Sequence, residues 1–435
     1  MNELEQTVLF ISRTWPQPKE TAAGWRMTQL INHFLNHQNK VFFACAELNS
    51  PAQSESFLKD NIFNMAGVNP IQITLNDDGF NAQIRDIKPD YVVFDRFMTE
   101  EQYGWRVREC CPKAVTILDT EDCHFLRLAR ANYIKDHPQA FDASACAIEA
   151  LYTPHSMREL ASIWRCDVTL IISQFEYQLL RETFFVPEGL LHYLPLALDD
   201  NSVQGHASEK FVERPWSDRT NFLWVGNRKH DPNNDSLIYL LQVLWPSIQS
   251  QVPNAALHLV GPHGSEGQRQ LILKSNAVVD LGWVENLPEL MINYRVNLAP
   301  LRFGAGLKGK IMQPLGLGLP TVCSVIGAEG LLLDKSPALA PVENSKEFIN
   351  KAIRLYTDEQ YWLEASEQGV QCIRRNFALS EVFSSLKGVL YTIKSELITH
   401  RNRHFMGQIL QYQSLNATKY MGRWLTLKNQ QINPV

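Results

Sequence analysis

No window of this sequence approaches the roughly 18 consecutive apolar residues that a membrane-spanning helix requires. The opening residues, Met1-Asn2-Glu3-Leu4-Glu5, lack the basic-then-apolar order of a secretory signal. Eight cysteines stand at 45, 110, 111, 123, 146, 166, 323 and 372, yet no C-x-x-C pair occurs. The adjacent Cys110 and Cys111 suit neither a zinc site nor an ordinary disulfide framework. Buried thiols in a reducing, cytoplasmic compartment are therefore expected, with no metal. Neither charge sign dominates: 41 Lys and Arg against 46 Asp and Glu leave a net −5, which argues against a dedicated nucleic-acid binder. With 45% hydrophobic and 20% charged residues the chain is not disordered, and 435 residues imply two or three domains.

What is present is a strand–loop–helix rhythm told twice. TVLFIS (7–12) is a short apolar, β-branched run of the kind buried on both faces of a parallel sheet. KVFFAC (40–45), YVVFD (91–95), AVTILD (114–119), VTLIIS (168–173) and LHYLPLAL (191–198) continue it, with helical spacing between. Residues 199–219 are polar and aperiodic and read as a linker. The pattern restarts with NFLWVG (221–226), ALHLVG (256–261), AVVDLGWV (277–284), VNLAPL (296–301) and PTVCS (320–324). The expected architecture is α/β, with two Rossmann-like doubly wound parallel sheets, 1–198 and 220–385, and a helical tail, 386–435. From Ile398 to Val435 the tail holds five Lys or Arg, no acid, and Phe405, Tyr412, Tyr420 and Trp424. Two readings stay open for it: aromatics packed back on the body, or a peripheral contact with an anionic membrane face.

Chemistry concentrates in 221–331. Gly226-Asn227-Arg228-Lys229-His230 follows a strand, at the end of an open sheet where ligands bind. Leu301–Lys310 (LRFGAGLKGK) joins another strand to a helix beginning near Lys308. Free amides, the positive end of a helix and adjacent lysines make a pyrophosphate cradle. Gly304–Lys310 also fits the first seven positions of a P-loop, but Ile311 stands where the magnesium-binding hydroxyl belongs, which disfavours an NTPase.

The segments FLWVGN, HDPNND, LHLVGP, DLGWVENLPEL, VNLAPLRFGAGLKGKIMQPLGLGLPTV and GAEGL together resemble the carboxyl-terminal domain of retaining group-1 (family 4) glycosyltransferases of GT-B fold, bacterial type. The first half resembles them more loosely, through DRFMTEEQYGWRVRECCP and ILDTEDCHFLRLAR. The resemblance implies two domains facing a central cleft, a UDP- or GDP-linked sugar as donor substrate, a glycan, glycolipid or polysaccharide precursor as acceptor, and no cofactor. It implies that Gly226, Asn227, Arg228 and the turn Gly304, Ala305, Gly306, Leu307, Lys308 and Lys310 face the diphosphate, and that Gly282, Trp283 and Val284 line the base pocket. Core packing is the other reading of Trp283. The family's two glutamates align with Ala305 and Gln313; the amide of Gln313 can bond a diol, whereas Ala305 offers no side-chain polar group.

In the first half, Asp119, Asp122 and His124 follow a strand and are the expected catalytic residues, with helix capping as the other reading of the two aspartates. The resemblance implies that Gly24 and Arg26, in the first loop, approach diphosphate and acceptor, with Asp95 and Arg96 ending another strand on the same side. The function expected is sugar transfer with retention of anomeric configuration; a nucleotide-sugar epimerase and a degenerate nucleotide-sugar-binding scaffold are the alternatives.

Overall fold

The computed structural model describes residues 5–18, 21–47, 67–198, 214–331, 333, 338–412, 420–422 and 424–425. Most of the expected linker, 199–213, lies outside the described residues, as does much of the tail beyond 412.

Among the described residues twelve strands form two wholly parallel sheets. The first comprises β1 (Thr7–Ser12), β2 (Lys40–Cys45), β3 (Val68–Gln72), β4 (Tyr91–Asp95), β5 (Val115–Asp119), β6 (Val168–Ile171) and β7 (Leu191–Tyr193), in the order β3-β2-β1-β4-β5-β6-β7. The second comprises β8 (Thr220–Val225), β9 (Leu257–Val260), β10 (Val278–Gly282), β11 (Tyr294–Ala299) and β12 (Thr321–Cys323), in the order β10-β9-β8-β11-β12. The apolar runs are continuous because helices cover both faces: every residue of β4 and β5 is buried. In each sheet the order reverses between the first strand and the fourth, β1 beside β4 and β8 beside β11. Crevices at such switch points are where open α/β sheets bind ligands.

The chain returns to the first domain at its end. Leu198 donates its N–H to the Phe377 carbonyl (2.8 Å) and accepts from Leu379 N–H (3.1 Å), so the two crossings lie side by side. Beyond them Val382, Phe383, Leu386, Leu390 and Ile393 join the core of Phe10, Val41 and Tyr91. Arg401 grips Asp167 (2.7 and 2.8 Å), and Gly407 lies against the Trp164 carbonyl so closely that a Cβ there would sit 2.1 Å from it. The described tail thus packs on the first domain, while Phe405, Ile409 and Tyr412 remain exposed. No helix among the described residues is long and apolar enough to cross a membrane.

Candidate active site

The turn after β11 leads through residues 301–308 into the helix Gly309–Gly316, with Lys308 at its N-cap position. Gly306 adopts φ +66°, and an added Cβ would meet Asp122 Cβ at 2.9 Å and the Glu121 carbonyl at 3.1 Å. Glycine is required here by both backbone and opposing domain. The turn therefore faces the first domain at close range. Gly306 N–H donates to Glu176 Oε1 (2.9 Å), which also accepts Cys123 N–H (2.9 Å). Arg130 donates to the Gly304 carbonyl (2.9 Å) and forks onto both oxygens of Glu329 (2.6 Å each). Arg302 donates to the carbonyls of Ala140 and Pro138, and its own carbonyl accepts Ala143 N–H. These contacts make a hydrogen-bonded seam between the domains.

Positive charge converges at that seam. Lys308 is 6% exposed, and its Nζ has no hydrogen-bond partner among the described residues. Burial lowers its pKa, although Glu329, Glu176 and Asp122 pull the other way. Lys310 Nζ donates to Asn233 Oδ1, and burial together with Lys308 pushes its pKa down to about 7. His230 lies 3.5 Å from Arg127 of the first domain; burial, then Arg127 and Lys310, push it down to about 4. Crowded cations that depress one another form a site that would be relieved by an anion. Among carboxylates, Asp122 is desolvated, yet its contacts with His124 Nε2 (3.2 Å) and Arg127 Nε (2.8 Å) hold it well below the usual carboxylate range. Burial pushes Glu176 up to about 7.

The expected residues divide. Asp122, His124, Gly304, Gly306, Leu307, Lys308 and Lys310 come together at or beside the seam. Asp119 is turned into the first domain's interior. It is fully buried, and Arg26 Nε and Nη2 bind its carboxylate at 2.8–3.3 Å, so the expected catalytic aspartate and acceptor-side arginine form a structural ion pair. Gly24 lies under the preceding loop, with Gln17 backbone atoms 2.5 Å from a hypothetical Cβ. Asp95 and Arg96 end β4 facing a first-domain cavity.

In the second domain Gly226 N–H is already bonded to the Val260 carbonyl (3.0 Å), and Asn227 Oδ1 accepts Lys229 N–H (3.0 Å). Arg228 forks onto Asp280 (2.6 and 2.7 Å) with its side chain 1% exposed, so it braces neighbouring loops instead of pointing a free cation at the cleft. Asp280 also accepts Gly282 N–H, leaving Trp283 half exposed at the loop edge beside Val284. Ala305 packs against the first domain's core, and Gln313 is half-buried in the first turns of its helix. Sequence reasoning missed Glu176, Arg130, Glu121 and the role of Glu329. The one local signal was Ser173-x-x-Glu176 at a helix start, a capping pattern.

Residues 219–358 match the family described as glycosyl transferases group 1. The second domain is thus similar in sequence to group 1 glycosyltransferases. No curated protein matches the chain by sequence. Solved structures show the fold of the whole: sucrose-phosphate synthase from Thermosynechococcus elongatus aligns at TM-score 0.66 and 14% identity over 90% of this chain and 100% of that one. HepE from Anabaena, solved with UDP-glucose, aligns at 0.64 and 13% over 89% and 100%. TarM from S. aureus, solved with Fondaparinux, alpha-GlcNAc-glycerol and UDP, aligns at 0.65 and 6% over 88% and 99%. The two domains thus form a GT-B fold, and the glycine turn with Lys308 lies on the face that the second domain presents to the first.

Proposed function

We propose that the protein transfers a sugar from a nucleoside-diphosphate sugar to a hydroxyl acceptor, with retention of anomeric configuration and without a metal. The observation that carries this reading is Lys308, a buried amine with no hydrogen-bond partner among the described residues, beside a glycine turn at a helix N-terminus and among Lys310, His230 and Arg127. Negative charge grows on the departing diphosphate as the sugar acquires oxocarbenium character. Preplaced amides and cations in a dry site lower that barrier most. The acceptor oxygen bonds the anomeric carbon as the bond to the phosphate oxygen breaks, and the acceptor proton leaves with the diphosphate. Attack and departure on one face need no carboxylate nucleophile, which accords with Ala305 where the family has a glutamate. Gly306 N–H is held by Glu176, so donor binding exchanges one anionic oxygen for another at that amide. HepE and TarM, solved with UDP or UDP-glucose, favour a uridine donor.

The test is incubation of purified protein with UDP- and GDP-linked sugars, with and without chelator. Release of UDP or GDP is followed by chromatography, and the product anomer is read by NMR. Binding without release would favour a nucleotide-sugar-binding scaffold, the reading that Ala305 and Gln313 support; absence of binding would sink both. The exposed Phe405, Ile409 and Tyr412, in a segment lacking acids, support a further contact of the tail with an anionic membrane face.

A further inference from the structure

At the switch point of the first sheet, the ends of β1, β4 and β5 and the first turn of the helix Ala22–Asn36 enclose a cavity of about 240 Å³. Among the described residues all of its lining comes from the first domain, and the charged groups are Glu47, Asp95, Glu121 and Arg96. Ser12 Oγ donates to Asp95 Oδ2 (2.6 Å), while Asp95 Oδ1 is buried with no partner among the described residues. Glu121 Oε1 is likewise buried and unpartnered. These residues are 8% and 9% exposed, so bulk water does not satisfy the two oxygens. Glu47 accepts Trp15 N–H (3.1 Å), and Arg96 lies 3.5 Å from Asp95.

The backbone points the same way. Arg96 (φ +66°) and Glu121 (φ +62°) adopt left-handed conformations that non-glycine residues seldom take, and such strain gathers at ligand sites. Glu121 joins this cavity to the seam, since its carbonyl would lie 3.1 Å from a Cβ on Gly306 while its carboxyl lines the cavity. Burial, and then Asp119, push the Glu121 carboxyl up to about 8, with Arg96 and Arg26 opposing.

Resting on the transfer reading above, we infer that this cavity seats the reacting ring of an uncharged, hydroxyl-bearing acceptor, whose hydroxyls donate to Asp95 Oδ1 and Glu121 Oε1. The Asp95 and Glu47 carboxylates disfavour an acceptor that carries a phosphate or carboxylate beside the reacting hydroxyl. A hydroxyl donates a proton to an orphaned oxygen, whereas a phosphate dianion donates none and meets these two carboxylates with one guanidinium opposite. The volume is below the roughly 300–1,000 Å³ of pockets for drug-sized ligands, so it fits one ring and not an oligosaccharide.

The experiment is saturation-transfer NMR on the full chain with methyl glucoside, methyl galactoside, methyl mannoside and glycerol as neutral probes, and with glucose 6-phosphate as the anionic one. UDP and GDP binding are measured by calorimetry on the same sample. At least one neutral probe should bind while glucose 6-phosphate does not, and Asp95→Asn, which replaces a charged acceptor by a neutral one, should weaken the neutral probe roughly tenfold. Glu121→Leu, which removes the other orphaned oxygen, reads the same effect if Asp95→Asn does not fold. Glucose 6-phosphate binding as well as the neutral probes, no binding by any neutral probe, or neutral binding unchanged in a folded variant would each overturn the inference. UDP bound without any sugar selectivity would remove only this inference; failure of both UDP and GDP to bind would remove the transfer reading itself.

Discussion

Replacing Lys308 by methionine should move two measurements in opposite directions. The ammonium sits at a helix N-cap, 6% exposed, with no hydrogen-bond partner among the described residues, and burial is the largest influence on its pKa. An unsatisfied buried polar group costs about 1–3 kcal/mol. Methionine keeps the stem and removes the charge, so the fold should gain stability of that order, equivalent to about 2–4 °C in Tm per kcal/mol for a domain of this size. The same substitution removes a charge-assisted bond to the diphosphate, worth about 1.5–3 kcal/mol. UDP should then bind roughly 10- to 150-fold more weakly. Scanning calorimetry reads the first effect and titration calorimetry the second. A packing role for Lys308 would give a lower Tm and unchanged UDP affinity; either result refutes the assignment.

Lys310, pushed down to about 7, is largely neutral at pH 8–9, and a bound diphosphate would draw a proton onto it. Binding that takes up a proton weakens as pH rises, so UDP affinity should fall by about one decade per pH unit above 7; calorimetry in buffers of different ionisation enthalpy should register the uptake, and a flat profile would contradict it. Arg130→Ala removes the fork onto Glu329 and the bond to the Gly304 carbonyl, so the domains should part. The expected sign is a larger radius of gyration in X-ray scattering, with each domain's own melting retained. Asp119→Asn weakens a fully buried pair with Arg26 and should cost about 1–3 kcal/mol of stability by denaturant titration, whereas a selective loss of turnover at unchanged stability would return Asp119 to the chemistry.

Which features were legible in the sequence follows from the range of the interactions. β1, β4, β5 and β11 stood out because helices bury both faces and the apolar runs are unbroken. β3 did not. Its sequence, VNPIQ, lies at the sheet edge with no residue fully buried, and an edge strand tolerates Pro70 where a central one would not. The helix Pro154–Arg165 was also passed over, although Thr153 and Ser156 form a capping box at its start. The glycine turn was legible because φ demand and cation spacing are local. The partners of that turn were not: Glu176 and Gly306 are 130 residues apart, and Arg130 and Glu329 are 199 apart. The pairing of Asp119 was not legible for the same reason, since its partner Arg26 lies 93 residues away and no local pattern announces a buried ion pair.

Glu176 holds the amide that the donor needs, and the consequence can be measured. Its Oε1 accepts N–H groups from both domains, Cys123 and Gly306, while its Oε2 is buried without a partner. A diphosphate oxygen that takes Gly306 N–H must come close to this carboxyl, and two anions there would repel unless one is neutral. Burial already pushes Glu176 up to about 7, so it can take a proton as the donor arrives. Glu176→Gln keeps an oxygen for both amides but removes the charge, so UDP should bind more tightly at pH 8, on the order of tenfold for a short-range like-charge contact in a partly screened site. Below pH 7 the wild-type carboxyl is itself protonated, so the gap between the two proteins should close as pH falls. If the glutamine variant instead binds UDP more weakly at every pH, the carboxylate serves the donor directly, and Gly306 is not the amide that receives the phosphate.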